Sequence, residues 1–246
     1  MARRTALLAG LILAASLGGD TSSDAQPIAT LDLRPAIPQP APPKPVRRAR
    51  PPIGTLVAYV RDGRTVAVRS ASRGSVVARL SSRTQFGSPR TFAVTRAGRA
   101  LRVITTELPN GRTGWVDGRG ALRLSRTTIS LDADLSTRVL RVRSGRRVLR
   151  ALRIGTGAPG TSTPTGRFAI TDKLRGSDYS AAYGCCILAL SGHQSHTPRG
   201  WTGGARLAIH GGTAGAVSAG CLHAAEADLR YLMRVVPLGA VITIHP

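Results

Sequence analysis

Apolar residues in most of this chain come in short runs cut by turn residues, a pattern that suits strands better than long helices. Between Ile53 and Leu124 the runs are Leu56 to Val60, Val66 to Val68, Val76 to Ala78, Phe92 to Val94, Leu101 to Ile104 and Gly114 to Val116. Asp62-Gly63, Arg73-Gly74, Ala97-Gly98 and Asn110-Gly111 interrupt them, and dipeptides ending in glycine are what tight hairpin turns require. The pattern predicts a string of hairpins of roughly seventy residues, enough for a small barrel. From Arg126 two further units follow: Thr127 to Asp132 against Arg138 to Arg143, which turns at Ser144-Gly145 into Arg146 to Ile154. Arginines interleave with Val139, Val142, Val148, Leu149 and Leu152, so at least one face is solvated.

Gly155 to Gly166 carries four glycines and two prolines and reads as a rigid loop, after which Phe168 to Ile170 returns as a strand. Ser177 to Gly204 is the least regular part of this half. One segment has a helical period instead: Leu222, Ala225, Leu229, Leu232, Met233 and Val236 recur at three- and four-residue steps. Glu226 and Asp228 sit early in it and Arg230 and Arg234 late, as the helix dipole favours, and Pro237 with Gly239 ends it.

The first 52 residues are of another kind. Met1-Ala-Arg-Arg is basic, Ala6 to Leu17 is a twelve-residue apolar run, and small polar residues follow to Ala25. This predicts a secretory signal segment at 1–25, too short to span a bilayer comfortably, with an uncleaved anchor as the alternative. Membrane contact is expected only through it. Gln26 to Pro52 holds nine prolines and no aromatic residue, which makes a stiff tether that has no core to bury. The expected organisation is signal 1–25, linker 26–52, a β domain at 53–124 and a catalytic domain at 126–246.

The chemistry concentrates in Ile209-His210-Gly211-Gly212 and in Ser218-Ala219-Gly220-Cys221-Leu222, whose cysteine follows His210 by eleven residues. A histidine at a strand end facing a cysteine is a base and its nucleophile. If the helix begins at Leu222, Cys221 meets unpaired backbone N–H groups that favour its thiolate. Gly220 leaves room for an incoming carbonyl, and the N–H groups of Gly220 and Cys221 are candidate donors to an oxyanion. Tyr183 and Trp201, with Tyr179, are candidates to line a peptide or glycan groove, although aromatic residues of small domains more often belong to the core. His193 and His196 are three apart, a spacing that suits a metal only on a helix with further ligands, and Ser, Gly and Pro surround them. No metal or cofactor is expected. Cys185 and Cys186 are neighbours whose alpha carbons lie closer than an unstrained disulfide favours, so both read most simply as buried strand residues with free thiols, a redox link to Cys221 being the alternative.

His210-Gly211, Ser218-x-Gly220-Cys221, Asp228 seven residues past the cysteine and the run Val236 to Ile244 resemble the L,D-transpeptidases of the YkuD type. Ile129 to Asp132, Ser144-Gly145 and the stretch Ile154 to Phe168 also resemble that family's catalytic domain. Leu108 to Asp117 resembles the end of a bacterial SH3-like domain. The fold class implied is mainly β: a small N-terminal SH3-like β-barrel, read as a wall-binding or spacer domain, then a YkuD-type β-sandwich or barrel with one helix after the cysteine. The resemblance also implies a lid over the substrate cleft from Ser177 to Gly204, and a histidine oriented by the carbonyl of Gly211 or Gly212 with no acidic triad member. The implied donor is a peptidoglycan stem tetrapeptide cleaved before its terminal D-alanine, held in part by Ser218, His223, Tyr183 and Trp201. The family usually places arginine two residues after the cysteine, where this chain has His223.

Lysine and arginine number 35 against 12 acidic residues, a net charge of +23 that attracts polyanions. The export signal and the sparse aromatic residues weigh against nucleic acid and for anionic cell-wall polymers beside the stem peptides. Three activities fit the sequence: an exported wall transpeptidase, a cysteine carboxypeptidase or hydrolase on stem peptides, and a catalytically idle cationic wall-binding protein.

Overall fold

The computed structural model describes residues 54–117 and 120–246. The signal segment and the proline tether lie outside them. Seven strands form the first sheet: β1 (Thr55–Val60), β2 (Thr65–Arg69), β3 (Val76–Ser81), β4 (Thr91–Arg96), β5 (Leu101–Ile104), β6 (Gly114–Val116) and β7 (Leu122–Thr127). They run in the order β3-β2-β6-β5-β4-β1-β7, every neighbouring pair antiparallel. Alternation sorts the side chains: Ala58, Val60, Val66, Val68, Phe92, Val94, Val103 and Val116 share one core. The pairing is not a simple string of hairpins, because β1 lies between β4 and β7 while β2 lies between β3 and β6. The Asp62-Gly63 turn thus joins strands that are not partners. Arg126, expected to open the second half, pairs with Leu56 in the first sheet.

The second sheet holds β8 (Ile129–Asp134), β9 (Val139–Ser144), β10 (Arg147–Gly157), β11 (Gly166–Arg175), β12 (Cys186–His193), β13 (Arg206–Gly211), β14 (Gly215–Ser218), β15 (Leu222–Ala224) and β16 (Val241–His245). Its order is β14-β10-β15-β13-β12-β11-β16-β8-β9, and an added β9–β10 pairing closes the circuit. The long β10 makes this closure. Its first part pairs with β9, and its last residues pair with β15 and β14. Inward positions two apart on successive strands fill the interior, among them Leu131 and Ala133, Leu140 and Val142, Leu152 and Ile154, Leu207 and Ile209, and Ile242 and Ile244.

The one α-helix among the described residues, α1 (Glu226–Val235), starts later than the apolar period suggests. Leu222 to Ala224 is strand β15, held between β13 and β10, with Leu222 and Ala224 buried and His223 turned the other way. A three-residue strand between two partners satisfies its backbone groups on both sides, and the helical spacing of Leu222 and Ala225 is a coincidence. Leu229 and Leu232, three apart and fully buried, fasten α1 to the barrel at about 1.5–3 kcal/mol each. The segment Ser177 to Gly204 is also more regular than expected. It contains a 3-10 turn at Ala181–Tyr183 and then all of β12, a buried strand between β11 and β13.

The two sheets touch through side chains of both. Ala93 and Ile104 of the first pack with Ala169 and Val241 of the second. Thr84 donates its hydroxyl to Asp172, a carboxylate with no exposed surface. Asn110 bonds the backbone of His193 twice, its amide donating to the carbonyl at 2.7 Å and its carbonyl accepting the N–H at 2.9 Å.

Candidate active site

β13 ends at Gly211 and carries His210; β15 lies beside it in parallel, with His210 in register with His223. Cys221 immediately precedes β15, and the register sets it alongside Ala208, two residues before His210. Parallel pairing therefore brings the histidine, the cysteine and His223 to one mouth, a cleft of about 920 Å³ lined by His210, Gly211, Ser218, Cys221, His223, Tyr183 and Trp201. Gly220 lies behind this lining. Trp201 stands at the rim, 45 % exposed, and donates its ring N–H to Gly204 O at 3.3 Å.

His210 is 8 % exposed. Its Nδ1 lies 2.7 Å from the Gly211 carbonyl, which only accepts, so Nδ1 carries the proton and Nε2 keeps a free lone pair. Burial lowers its pKa from 6.5 to about 4; the Gly211 bond pulls the other way, and His223, with its ring 4.8 Å off, adds to the lowering. Tyr183 meets the imidazole edge-on, ring centres 4.7 Å apart. Glycine at 211 permits this approach, since a Cβ there would stand 2.8 Å from the Tyr183 carbonyl. His223 points its Nδ1 at the Thr213 carbonyl, 3.2 Å away, and borders the same cleft.

Cys221 departs from the expected picture. It precedes a strand, so no helix N-terminus favours its thiolate. Burial raises its pKa, against a smaller opposing effect of the Ala208 N–H, and the sulfhydryl points at the Arg206 carbonyl 4.0 Å away. Both shifts favour the neutral forms, a thiol at Cys221 and an imidazole at His210, which line the same cleft.

The turn around Cys221 is locked internally. Ser218 Oγ donates to the Cys221 carbonyl at 2.6 Å and accepts the Gly220 N–H at 3.0 Å. Ser218 thereby locks the turn while also lining the cleft. The Gly220 N–H is likewise taken, so of the two expected oxyanion donors only that of Cys221 remains. Gly220 adopts φ +117°, a conformation that side chains resist, and a Cβ there would collide with Gln194 Nε2.

Gln194 carries no obvious signal in the sequence, sitting in a Ser-, Gly- and His-rich stretch. Buried to 6 % exposure, it donates Nε2 to the carbonyls of Thr161, Ser162 and Ala219 at 3.0, 3.1 and 3.2 Å. It therefore ties the glycine-rich loop to the cysteine turn. Thr161 Oγ1 and the Ala158 N–H add bonds to the Ser218 carbonyl, both at 2.9 Å. The glycine-rich loop thus braces the cysteine turn.

Cys185 and Cys186 are joined by a disulfide across adjacent alpha carbons 3.7 Å apart, contrary to the expectation of two free thiols. The backbone at the start of β12 brings the two sulfurs together, which the spacing argument had discounted. The Cys185 N–H donates to Glu226 Oε1 at 2.7 Å, linking this corner to the first turn of α1. Asp228, also in that turn, is held by Arg150 at 2.7 Å and fastens α1 to β10, away from the reacting groups. Denatured without reductant, the chain is expected to titrate one thiol, that of Cys221, and three after reduction. Three thiols in the unreduced chain would show the pair to be open.

Residues 128–244 match YkuD, the L,D-transpeptidase catalytic domain. This part of the chain is an L,D-transpeptidase catalytic domain. It coincides with the closed second sheet and contains every residue of the cleft named so far. No curated protein matches the chain in sequence. Among solved structures, L,D-transpeptidase 1 of Mycobacterium tuberculosis is 18 % identical over 55 % of this chain and 77 % of its own, with a TM-score of 0.37. An L,D-transpeptidase of Stackebrandtia nassauensis is 18 % identical over 50 % of this chain and 57 % of its own, TM-score 0.36. One from Xylanimonas cellulosilytica is 21 % identical over 49 % and 62 %, TM-score 0.36. The chain thus spans less than two thirds of the last two.

Proposed function

We propose that this protein is an exported peptidoglycan L,D-transpeptidase that works through a thioester on Cys221. The observation that carries the reading is the neutral His210, its Nδ1–H fixed on the Gly211 carbonyl, sharing a cleft with Cys221 inside an L,D-transpeptidase catalytic domain. His210 Nε2 takes the thiol proton as Sγ adds to the carbonyl carbon of the scissile amide. The Cys221 N–H supports the developing oxyanion. The C–N bond then breaks, and the imidazolium returns its proton to the departing D-alanine amine. An acceptor amine attacks the thioester, gives up a proton to His210, and expels Sγ, which is reprotonated.

The donor in this reading is a stem tetrapeptide and the acceptor a neighbouring stem's side-chain amine. The net charge of +23 favours retention on an anionic wall, where both are found. Incubation with a tetrapeptide ending in a diamino acid and D-alanine tests the reading by intact-protein mass. The expected results are an acyl adduct at Cys221, free D-alanine and cross-linked stem dimers. D-alanine without dimers would make the protein a carboxypeptidase. No adduct and no D-alanine would leave a wall-binding protein without chemistry.

A further inference from the structure

The first sheet reaches the cleft. Gln85 and Phe86, in the β3–β4 connection, line the same cavity as Cys221 and His210, although they precede the transpeptidase domain in sequence. Phe86 is half-buried and meets Tyr179 edge-on, ring centres 6.0 Å apart. The connection is held in shape. Thr84 Oγ1 accepts the N–H groups of Phe86 and Ser88 at 3.2 Å each, and the Gly87 N–H donates to the Thr84 carbonyl at 3.0 Å. Arg83 and Arg90 close it further, donating to the carbonyls of Gly87 and Arg83. The same Thr84 hydroxyl donates to buried Asp172 of β11, so the loop tip is fixed against the catalytic sheet. A turn ordered this way presents its side chains at little further entropic cost on binding.

We propose that Gln85 and Phe86 are specificity-determining residues of the substrate site, contacting the peptide residues of the acyl donor remote from the scissile bond. The first sheet is then a wall of the active site and more than a spacer. At about 920 Å³ the cleft stands near the upper end of the range for ligand pockets, roughly 300–1,000 Å³, which leaves length beyond the reacting residues. Along that length Phe86, Tyr179 and Leu174 offer apolar surface for the aliphatic part of a stem residue, and Gln85 offers an amide for a peptide group. Binding energy from such remote contacts is what orients the reacting carbonyl. This inference rests on the transpeptidase reading of the cleft.

The test is calorimetric binding to the Cys221→Ala protein, in which no turnover confuses affinity. A synthetic stem tetrapeptide and a truncated donor, keeping only the two residues flanking the scissile bond, are compared across added Phe86→Ala, Phe86→Leu and Gln85→Ala. Phe86→Ala is expected to weaken tetrapeptide binding about 5–10-fold, the size of a lost buried aromatic contact, and Phe86→Leu to restore part of it. Affinity for the truncated donor is expected to stay unchanged. Equal tetrapeptide affinity with and without Phe86 overturns the inference and leaves the transpeptidase reading standing. Equal losses for both donors overturn it too, since they mark a purely structural role. A Cys221→Ala protein that binds no tetrapeptide overturns the substrate reading, and this inference with it.

Discussion

Cys221→Ala is expected to lower acyl transfer by on the order of 10⁴-fold or more, since the loss of a covalent nucleophile leaves no route to the thioester. The fold should survive. The sulfur is half-buried and its contact to the Arg206 carbonyl is long at 4.0 Å, so truncation to a methyl removes little packing. The turn that carries it is held by Ser218 and Gln194, whose bonds run to backbone atoms and remain. A melting temperature close to that of the parent, with no adduct in the intact mass after donor incubation, is the expected pair of results. Retained stem cross-linking by the variant would rule out Cys221 as the nucleophile.

His210→Gln is expected to lower kcat/KM by about 10²–10⁴-fold, the usual contribution of a positioned general base. Its pH behaviour distinguishes this site from one with an ordinary histidine. In the proposed reaction the base is the neutral imidazole, lost only as pH falls through about 4, so activity should stay level across the normal histidine range near 6.5. Stability follows the same group with a definite sign. Between pH 6.5 and about 4 the unfolded chain binds a proton at residue 210 that the folded chain refuses, so stability falls as pH falls through that window. The full effect is on the order of 3 kcal/mol for a shift of this size. His210→Gln should flatten that portion of the stability profile, measured by denaturant unfolding at pH 4.5 and 7. An acid limb of activity centred near 6.5 would show His210 to be solvated and the buried geometry wrong for the working enzyme.

Cys221 and His210 stood out as candidates because their signals are local: glycines where the backbone must turn or be approached, and a histidine at the end of an apolar run; that both line one cleft is what the fold adds. The strand runs were legible for the same reason, since alternation along a strand is written residue by residue. Tyr183 and Trp201 were visible as aromatic residues in a loop-rich segment. Their position along the cleft was not.

What the sequence by itself determined is thus the local alphabet of the protein: most of its strands and turns, the apolar face of α1 and the candidates for nucleophile and base. The tertiary structure decided everything that depends on which segments meet. β15 is a strand because β13 and β10 are there to pair with it, and that pairing removes the helix N-terminus from Cys221 and leaves a neutral thiol. Gln194 became a brace only when the glycine-rich loop and the cysteine turn closed on it from 33 and 25 residues away. Phe86 became part of the cleft because buried Asp172 holds the β3–β4 connection. Hydrogen bonds and packing between distant segments obey no sequence period, and for that reason they can be read only once the chain has folded.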